Sequence, residues 1–244
     1  MSFAAHRAKA LSASGAVAAT IAGTVAVAAG WSWGILLVAF FLSGVGLSRF
    51  GARRKAEILD AIVAKTRSRD VWQVLANGGV FTAAAVAAIV SPAPVWLAVG
   101  IGALAASAAD TWATEVGTVL GGEPRSIISG KTVPAGTSGG ITLAGSAAAV
   151  GGAAFMAIAA TLVGWEVPLH VVIASGVAGA FADSLTGSLV QERRWCSACR
   201  APTERAVHNC GTRTGRVGGI AGFDNDVVNL VCSFVGALVA LTMW

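Results

Sequence analysis

Apolar residues along this chain gather in seven long runs, at 11–29, 31–47, 71–90, 95–120, 141–163, 169–190 and 227–244. Each is near the roughly 20 residues that a helix needs to cross a bilayer. Every proline and every Lys and Arg lies outside these runs. This pattern predicts an all-α integral membrane bundle of about seven transmembrane helices, forming one domain over 1–244 with a polar loop at 191–222. A weak internal similarity sits on top of it. "ADTWATEV" at 109–116 and "ADSLTGSL" at 182–189 place Ala-Asp-(Thr/Ser) at equivalent depths, as a parallel repeat of helix pairs would.

The charges orient the bundle. All 17 Lys and Arg lie at 7–9, 49–69, 125–131 and 193–216, which are the N-terminus and every second connection. The breaks at 30, 91–94 and 164–168 carry no base. The positive-inside rule then puts the N-terminus and the three basic loops in the cytosol, with Trp244 outside. The chain is 55% hydrophobic and only 12% charged, and its mean hydropathy is +0.74. The pI near 9.5 is accounted for by membrane orientation and suits anionic headgroups or phosphorylated ligands, not nucleic acid. Arg7 and Lys9 before an Ala-rich run resemble a signal peptide, but the run is long and another span follows at once. The expected location is the cytoplasmic membrane of a prokaryote.

Small residues dominate the spans, with 31 glycines in all, and they let helices approach closely where lipid supplies no hydrophobic drive. Gly176, Gly179, Asp183 and Gly187 fall within about 80° of one another on a helical wheel. Trp31, Trp33, Trp96 and Trp165 lie near expected outer ends and are read as an aromatic belt.

Five carboxylates interrupt this apolar background: Asp110, Glu115, Asp183, Asp224 and Asp226. An acid inside a span costs on the order of 2.5–3.5 kcal/mol, so it normally faces water, a metal or a partner charge. Ser107, Asp110, Thr111, Thr114, Glu115 and Thr118 make a polar stripe about 140° wide, either the wall of an aqueous cavity or interhelical glue. Acids converging from several helices suit Mg²⁺; a proton or Na⁺ relay uses the same groups. Asp224 is equally a helix N-cap. The loop at 121–140 offers Arg125 and Lys131 as phosphate clamps. Its Gly136-Thr137-Ser138-Gly139-Gly140 turn is expected to present N–H groups at a helix start, and Asn77-Gly78-Gly79 is a second candidate turn. In the last loop, Cys196-x-x-Cys199 and His208-x-Cys210 have the ligand types of a structural Zn²⁺ site, the alternative being four reduced thiol and imidazole groups without metal.

Taken in order, "ASAADTWATEVG", "PRSI…KTVPAGTSGGIT", "ADSLTGSLVQ" and "GFDNDVVNLV" resemble a family of polytopic membrane proteins whose plant member is phytyl phosphate kinase of the tocopherol pathway. The resemblance spans about residues 15–240. It implies phosphoryl transfer from a nucleoside triphosphate, with CTP the expected donor, to an isoprenyl monophosphate. The matching positions are Asp110, Thr111, Trp112, Glu115, Pro124, Arg125, Gly136, Thr137, Gly139, Gly140, Asp183, Ser184, Gly187, Gln191, Asp224, Asn225, Asp226 and Asn229. Of these, Asp110, Glu115, Asp183 and Asp226 are the implied catalytic acids, and the same four with Asp224 are the implied Mg²⁺ ligands. The Cys/His loop is not expected in the plant member. Two rival readings are an ion-coupled transporter and another lipid-phosphate enzyme, such as a cytidylyltransferase or lipid kinase.

Overall fold

The computed structural model describes residues 2–59 and 68–244. The basic residues Lys65 and Arg67, used above for orientation, lie outside the described part. The helices are α1 (Ser2–Arg7), α2 (Ala13–Ala29), α3 (Trp31–Arg49), α4 (Ala52–Leu59), α5 (Val71–Val90), α6 (Val95–Leu120), α7 (Leu143–Leu162), α8 (Leu169–Leu189) and α9 (Asn225–Met243). Two small antiparallel sheets complete it: β1 (Arg125–Ser126) with β2 (Gly140–Ile141), and β3 (Arg193–Cys196) between β4 (Ala201–Thr203) and β5 (Gly215–Gly218). Among the described residues, six helices are long and apolar enough to cross a membrane: α3 and α5 to α9 without α4. The seventh apolar run forms α2, which at 17 residues falls at the short end of the spanning range.

Local signals set the ends. Asp70 accepts from Gln73 N–H while the Gln73 side chain answers to the Asp70 backbone, a capping box that starts α5. Thr142 caps α7 and Asp224 caps α9. Gly30, at φ +146°, separates α2 from α3 in a conformation that costs other residues dearly.

Helix α6 is the hub, packed by α3, α5, α7, α8 and α9. Every residue from Gly100 to Ala109 is buried, as expected of a helix apolar all round. Small side chains make this possible. A Cβ on Gly102 would lie 2.5 Å from Ala240 Cβ and 2.6 Å from the Gly236 carbonyl, so α6 and α9 meet backbone to backbone. Hydroxyls tie the same helices together: Ser107 meets Ser233 at 2.9 Å and donates to the Asn77 carbonyl, and Ser233 donates to the Ala76 carbonyl. The outer surface is the apolar one, with Val17, Ile21, Leu42, Val90, Ile158, Leu162 and Phe234 among its exposed side chains. That inversion suits a lipid solvent.

Two of the four belt tryptophans are placed otherwise than expected. Trp33 and Trp165 are buried, 4.7 Å apart between ring centroids, with Phe81 at 5.1 Å from Trp33. Gly100 makes the room, since a Cβ there would fall 2.7 Å from the Trp33 ring. Trp31 remains exposed, and Trp96 donates its indole N–H to the Ser91 carbonyl.

Candidate functional site

At the end of the bundle where residues 8–10, the α3–α4 segment, the 122–142 loop and the start of α9 converge, a cavity of about 870 Å³ enters the helices. Asp110 of α6 and Asp183 of α8 line its inner part. Their side chains are close enough to interact electrostatically. Asp183 Oδ2 is buried without a hydrogen-bond partner. Two carboxylates so placed repel unless a proton or a cation lies between them. These are the equivalent aspartates of the two Ala-Asp motifs, and α6 and α8 run unbroken through them.

The lining is also basic. Lys9, Arg49, Arg54, Lys55 and Arg69 line the cavity together with the four acids Asp110, Glu115, Asp183 and Glu204. Lys55 is buried, pairs with Glu115 and donates to the Leu47 carbonyl at 2.7 Å. Arg69 packs its guanidinium against Gly44 and over the Phe41 ring, 5.5 Å from its centroid. Burial holds Arg69 below its ordinary value, and nearby Glu115 partly offsets this; an arginine stays charged regardless. Arg69 is fixed through its backbone: its N–H donates to Ala10 and its carbonyl accepts from Ser12.

Of the residues singled out in the sequence, Asn77, Asp110, Glu115, Thr137, Ser138, Gly139, Gly140, Asp183, Ser184, Gln191, Asn225 and Asn229 line this one cavity. Others sit elsewhere. Asp224 is spent on capping α9, accepting from the N–H groups of Asp226 and Val227. Asp226 is half-buried on the first turn of α9, outside the cavity lining. Arg125 and Lys131 are exposed and outside the cavity lining, and Arg125 donates to the Gly130 carbonyl at 3.1 Å. Asn77-Gly78-Gly79 is not a turn: the capping box at Asp70 starts α5 earlier, and these residues lie within the helix, with the Asn77 amide bonded to the Gln73 carbonyl. Nor does the Gly139–Gly140 turn start α7. It leads into β2, Gly140 N–H is donated to the Thr137 carbonyl, and Thr142 caps the helix. Gly139, at φ +76°, lies against α8, where a Cβ would fall 2.4 Å from Ser188 Cβ. The turn thus forms part of the cavity wall by close packing.

The basic part of the lining was missed by sequence reasoning. Its signal was visible, since Lys9, Arg49, Arg54, Lys55 and Arg69 belong to the clusters that orient the chain, but nothing local distinguishes a cation facing lipid headgroups from one facing a cavity.

In the 191–222 loop, ligand atoms of Cys196, Cys199, His208 and Cys210 lie within 4.8 Å of one another. Hydrogen bonding with Thr212 and His208 holds the Cys210 thiol down, to about 5. Its hydrogen bond with Cys210 pushes the Cys199 thiol up, to about 11. Glu192 accepts from the Gly222 N–H at 2.7 Å and pairs with Arg194, and these hold its carboxyl below the usual range.

The chain matches the integral membrane protein family DUF92 over residues 1–237. It belongs to that family. It is 27% identical over 260 residues to Protein PGR of Arabidopsis thaliana, covering 95% of this chain and 88% of the plant protein. It is 30% identical over 218 residues to an uncharacterized membrane protein of Methanocaldococcus jannaschii, covering 88% and 77% of the two chains. No solved structure matches it. The polytopic membrane family that the ordered motifs resemble is therefore borne out.

Proposed function

We propose that this protein is a membrane-embedded phosphotransferase that moves the terminal phosphoryl group of a nucleoside triphosphate onto an isoprenyl monophosphate. The observation that carries this reading is the Asp110–Asp183 pair sharing one cavity with Lys9, Arg49, Arg54, Lys55 and Arg69. Phosphoryl transfer asks a protein chiefly for positioning and charge neutralisation, and this cavity has parts for both. The family resemblance adds CTP as donor and a phytyl- or geranylgeranyl-type acceptor.

The donor set suits Mg²⁺. Asp110 and Asp183 supply hard oxygen ligands, Asp183 Oδ2 has no protein partner, and the space beyond them leaves room for water and phosphate oxygens in the ion's shell. When bound, Mg²⁺ would supply charge neutralisation on the triphosphate oxygens. Lys9, Arg49, Arg54 and Arg69 bind the phosphates. A terminal oxygen of the lipid phosphate attacks the γ-phosphorus, the bond to the β-phosphoryl oxygen breaks, and the nucleoside diphosphate leaves with that electron pair. The nucleophile is already an anion, so no strong general base is needed. The cavity also reaches Val177 and Phe181 of α8, which are 37% and 58% exposed on the lipid-facing surface. An apolar tail entering beside them stays in lipid while its headgroup meets the bases. By the distribution of charges this end faces the cytosol.

Unbroken helices at the acids weigh against the transporter reading, in which binding sites lie at the midplane on interrupted helices. The test is product analysis in detergent micelles with geranylgeranyl or phytyl phosphate and CTP labelled at the γ-phosphorus. Labelled lipid diphosphate and CDP, lost with EDTA, are expected. Pyrophosphate release with a CDP-lipid would make it a cytidylyltransferase. No Mg²⁺-dependent product from any prenyl phosphate, together with ion-coupled flux in liposomes, would make it a transporter.

A further inference from the structure

The 191–222 loop builds a three-stranded sheet that lacks an apolar core. Its buried residues are Gln191, Cys196, Thr203, His208 and Thr214, while Trp195, Val207, Val217 and Ile220 are exposed. A small sheet without a hydrophobic face is not stable by itself and needs a staple. Two of those buried residues, Cys196 and His208, have metal-ligand chemistry, and the exposed Cys199 and Cys210 lie beside them. Cys196 Sγ lies 3.6 Å from Cys210 Sγ, and His208 Nδ1 lies 3.3 Å from the same sulfur. A tetrahedral zinc with bonds of about 2.3 Å to sulfur and 2.0–2.1 Å to nitrogen has edges of roughly 3.8 and 3.6 Å, close to these two separations. The sulfurs are too far apart for a disulfide, which needs about 2.05 Å, and all four cysteines of the chain are free.

We propose that Cys196, Cys199, His208 and Cys210 bind one zinc ion, and that this ion clasps two hairpins so as to hold Glu204 over the mouth of the cavity. Cys196 and Cys199 belong to the β3–β4 hairpin, in which Arg194 is paired with Thr203. His208 and Cys210 belong to a second turn, closed by His208 N–H on the Thr212 carbonyl and Thr214 N–H on the Ala206 carbonyl. Glu204 lies between them, directly after the end of β4. It lines the cavity and accepts from Gln191 Nε2 at 2.9 Å, and Gln191 itself follows directly on the end of α8. With four protein ligands the ion has no open position, so its role is to hold the loop and not to react. The clasp thus connects the ends of α8 and α9 above the Asp110–Asp183 pair. It does not depend on which reaction the cavity performs.

The test uses the full chain purified in detergent. Elemental analysis is expected to show about one zinc per chain, by the ligand count. Replacing zinc by Co²⁺ should give the thiolate charge-transfer and tetrahedral ligand-field bands of a sulfur-rich site, and both should vanish in Cys196→Ser/Cys199→Ser. Stripping zinc from the wild-type protein with a chelator covers the case in which that variant fails to fold. Trypsin cleavage after Arg200, Arg205 and Arg213 should then accelerate by roughly tenfold or more, following the open fraction, and carbodiimide labelling of Glu204 should rise with it. Protein that holds no zinc and gives no cobalt bands, or that carries a Cys196–Cys210 disulfide, would overturn the site. Zinc that can be removed without changing cleavage or Glu204 labelling would overturn the clasp.

Discussion

Asp183→Asn separates the chemistry of the acid pair from its packing. The amide keeps the shape of the side chain, and the oxygen it replaces at Oδ2 accepts no protein hydrogen bond. What is lost is one unit of negative charge beside Asp110. Two facing carboxylates are held in the cavity at an electrostatic cost, so removing one leaves the melting temperature unchanged or raised. Turnover should move the other way. Losing a principal charge-neutralising element of phosphoryl transfer costs roughly 10³-fold or more in rate, which at 1.36 kcal/mol per tenfold is about 4 kcal/mol of barrier. The assay is Mg²⁺-dependent formation of lipid diphosphate by wild type and variant, with thermal unfolding followed in the same detergent. A variant that keeps its fold and more than about a tenth of wild-type turnover would refute the role given to Asp183, since that loss is under 1.4 kcal/mol. A loss that follows unfolding would refute the reasoning about packing.

Other changes follow from placement. Lys131→Ala and Asp226→Asn lie outside the cavity lining and should lower turnover by less than about tenfold, whereas Arg69→Ala, inside it, should cost more through substrate binding, near the 1.5–3 kcal/mol of a hydrogen bond to a charged group; steady-state kinetics over a range of nucleotide concentration distinguishes them. Lys55→Met leaves Glu115 without its ion-pair partner in a largely enclosed place and should destabilise by about 3 kcal/mol, while Lys55→Met/Glu115→Gln recovers most of it; denaturation of the single and double variants completes the cycle. A cysteine added at Ser91 and one added at Ser129, each compared with the otherwise unchanged chain, should label from opposite sides of sealed vesicles, and labelling from the same side would overturn the orientation drawn from the bases. Glu192 is held below its usual range by the Gly222 N–H and Arg194, so its contribution to loop stability is intact above the unfolded carboxylate value near 4.3 and is lost as pH falls below it. Amide exchange at Gly222 should quicken over that acid range and not on the alkaline side.

The membrane spans were legible because their signal is local: length, hydropathy and the break residues are all contained in each segment. The expected run at 71–90 is the observed α5, and that at 95–120 is α6. The acid pair was legible for the same reason, since an aspartate inside an apolar run has few inexpensive places to be. What could not be read is long-range partnership. Lys55 reaches Glu115 sixty positions later, and Arg125 and Lys131 are exposed in a loop closed by the pairing of β1 with β2. Trp33 was misplaced because the space it fills is made by Gly100, on a helix whose neighbour in the fold is not its neighbour in the chain. The sheet at 193–218 carried little alternation of apolar and polar residues, as expected where polar and metal-ligand side chains take the place of an apolar core.

Anomalous diffraction from crystals grown with Mn²⁺ and a non-hydrolysable CTP analogue bears most directly on the Asp110–Asp183 pair as the centre of phosphoryl transfer. The expected result is a metal bonded to both carboxylates at about 2.1–2.2 Å, close to the Mg²⁺–oxygen distance, with triphosphate oxygens completing its shell and Arg69 against the phosphates. A nucleotide bound without metal at this pair, or a metal held elsewhere with lipid filling the cavity, would contradict it.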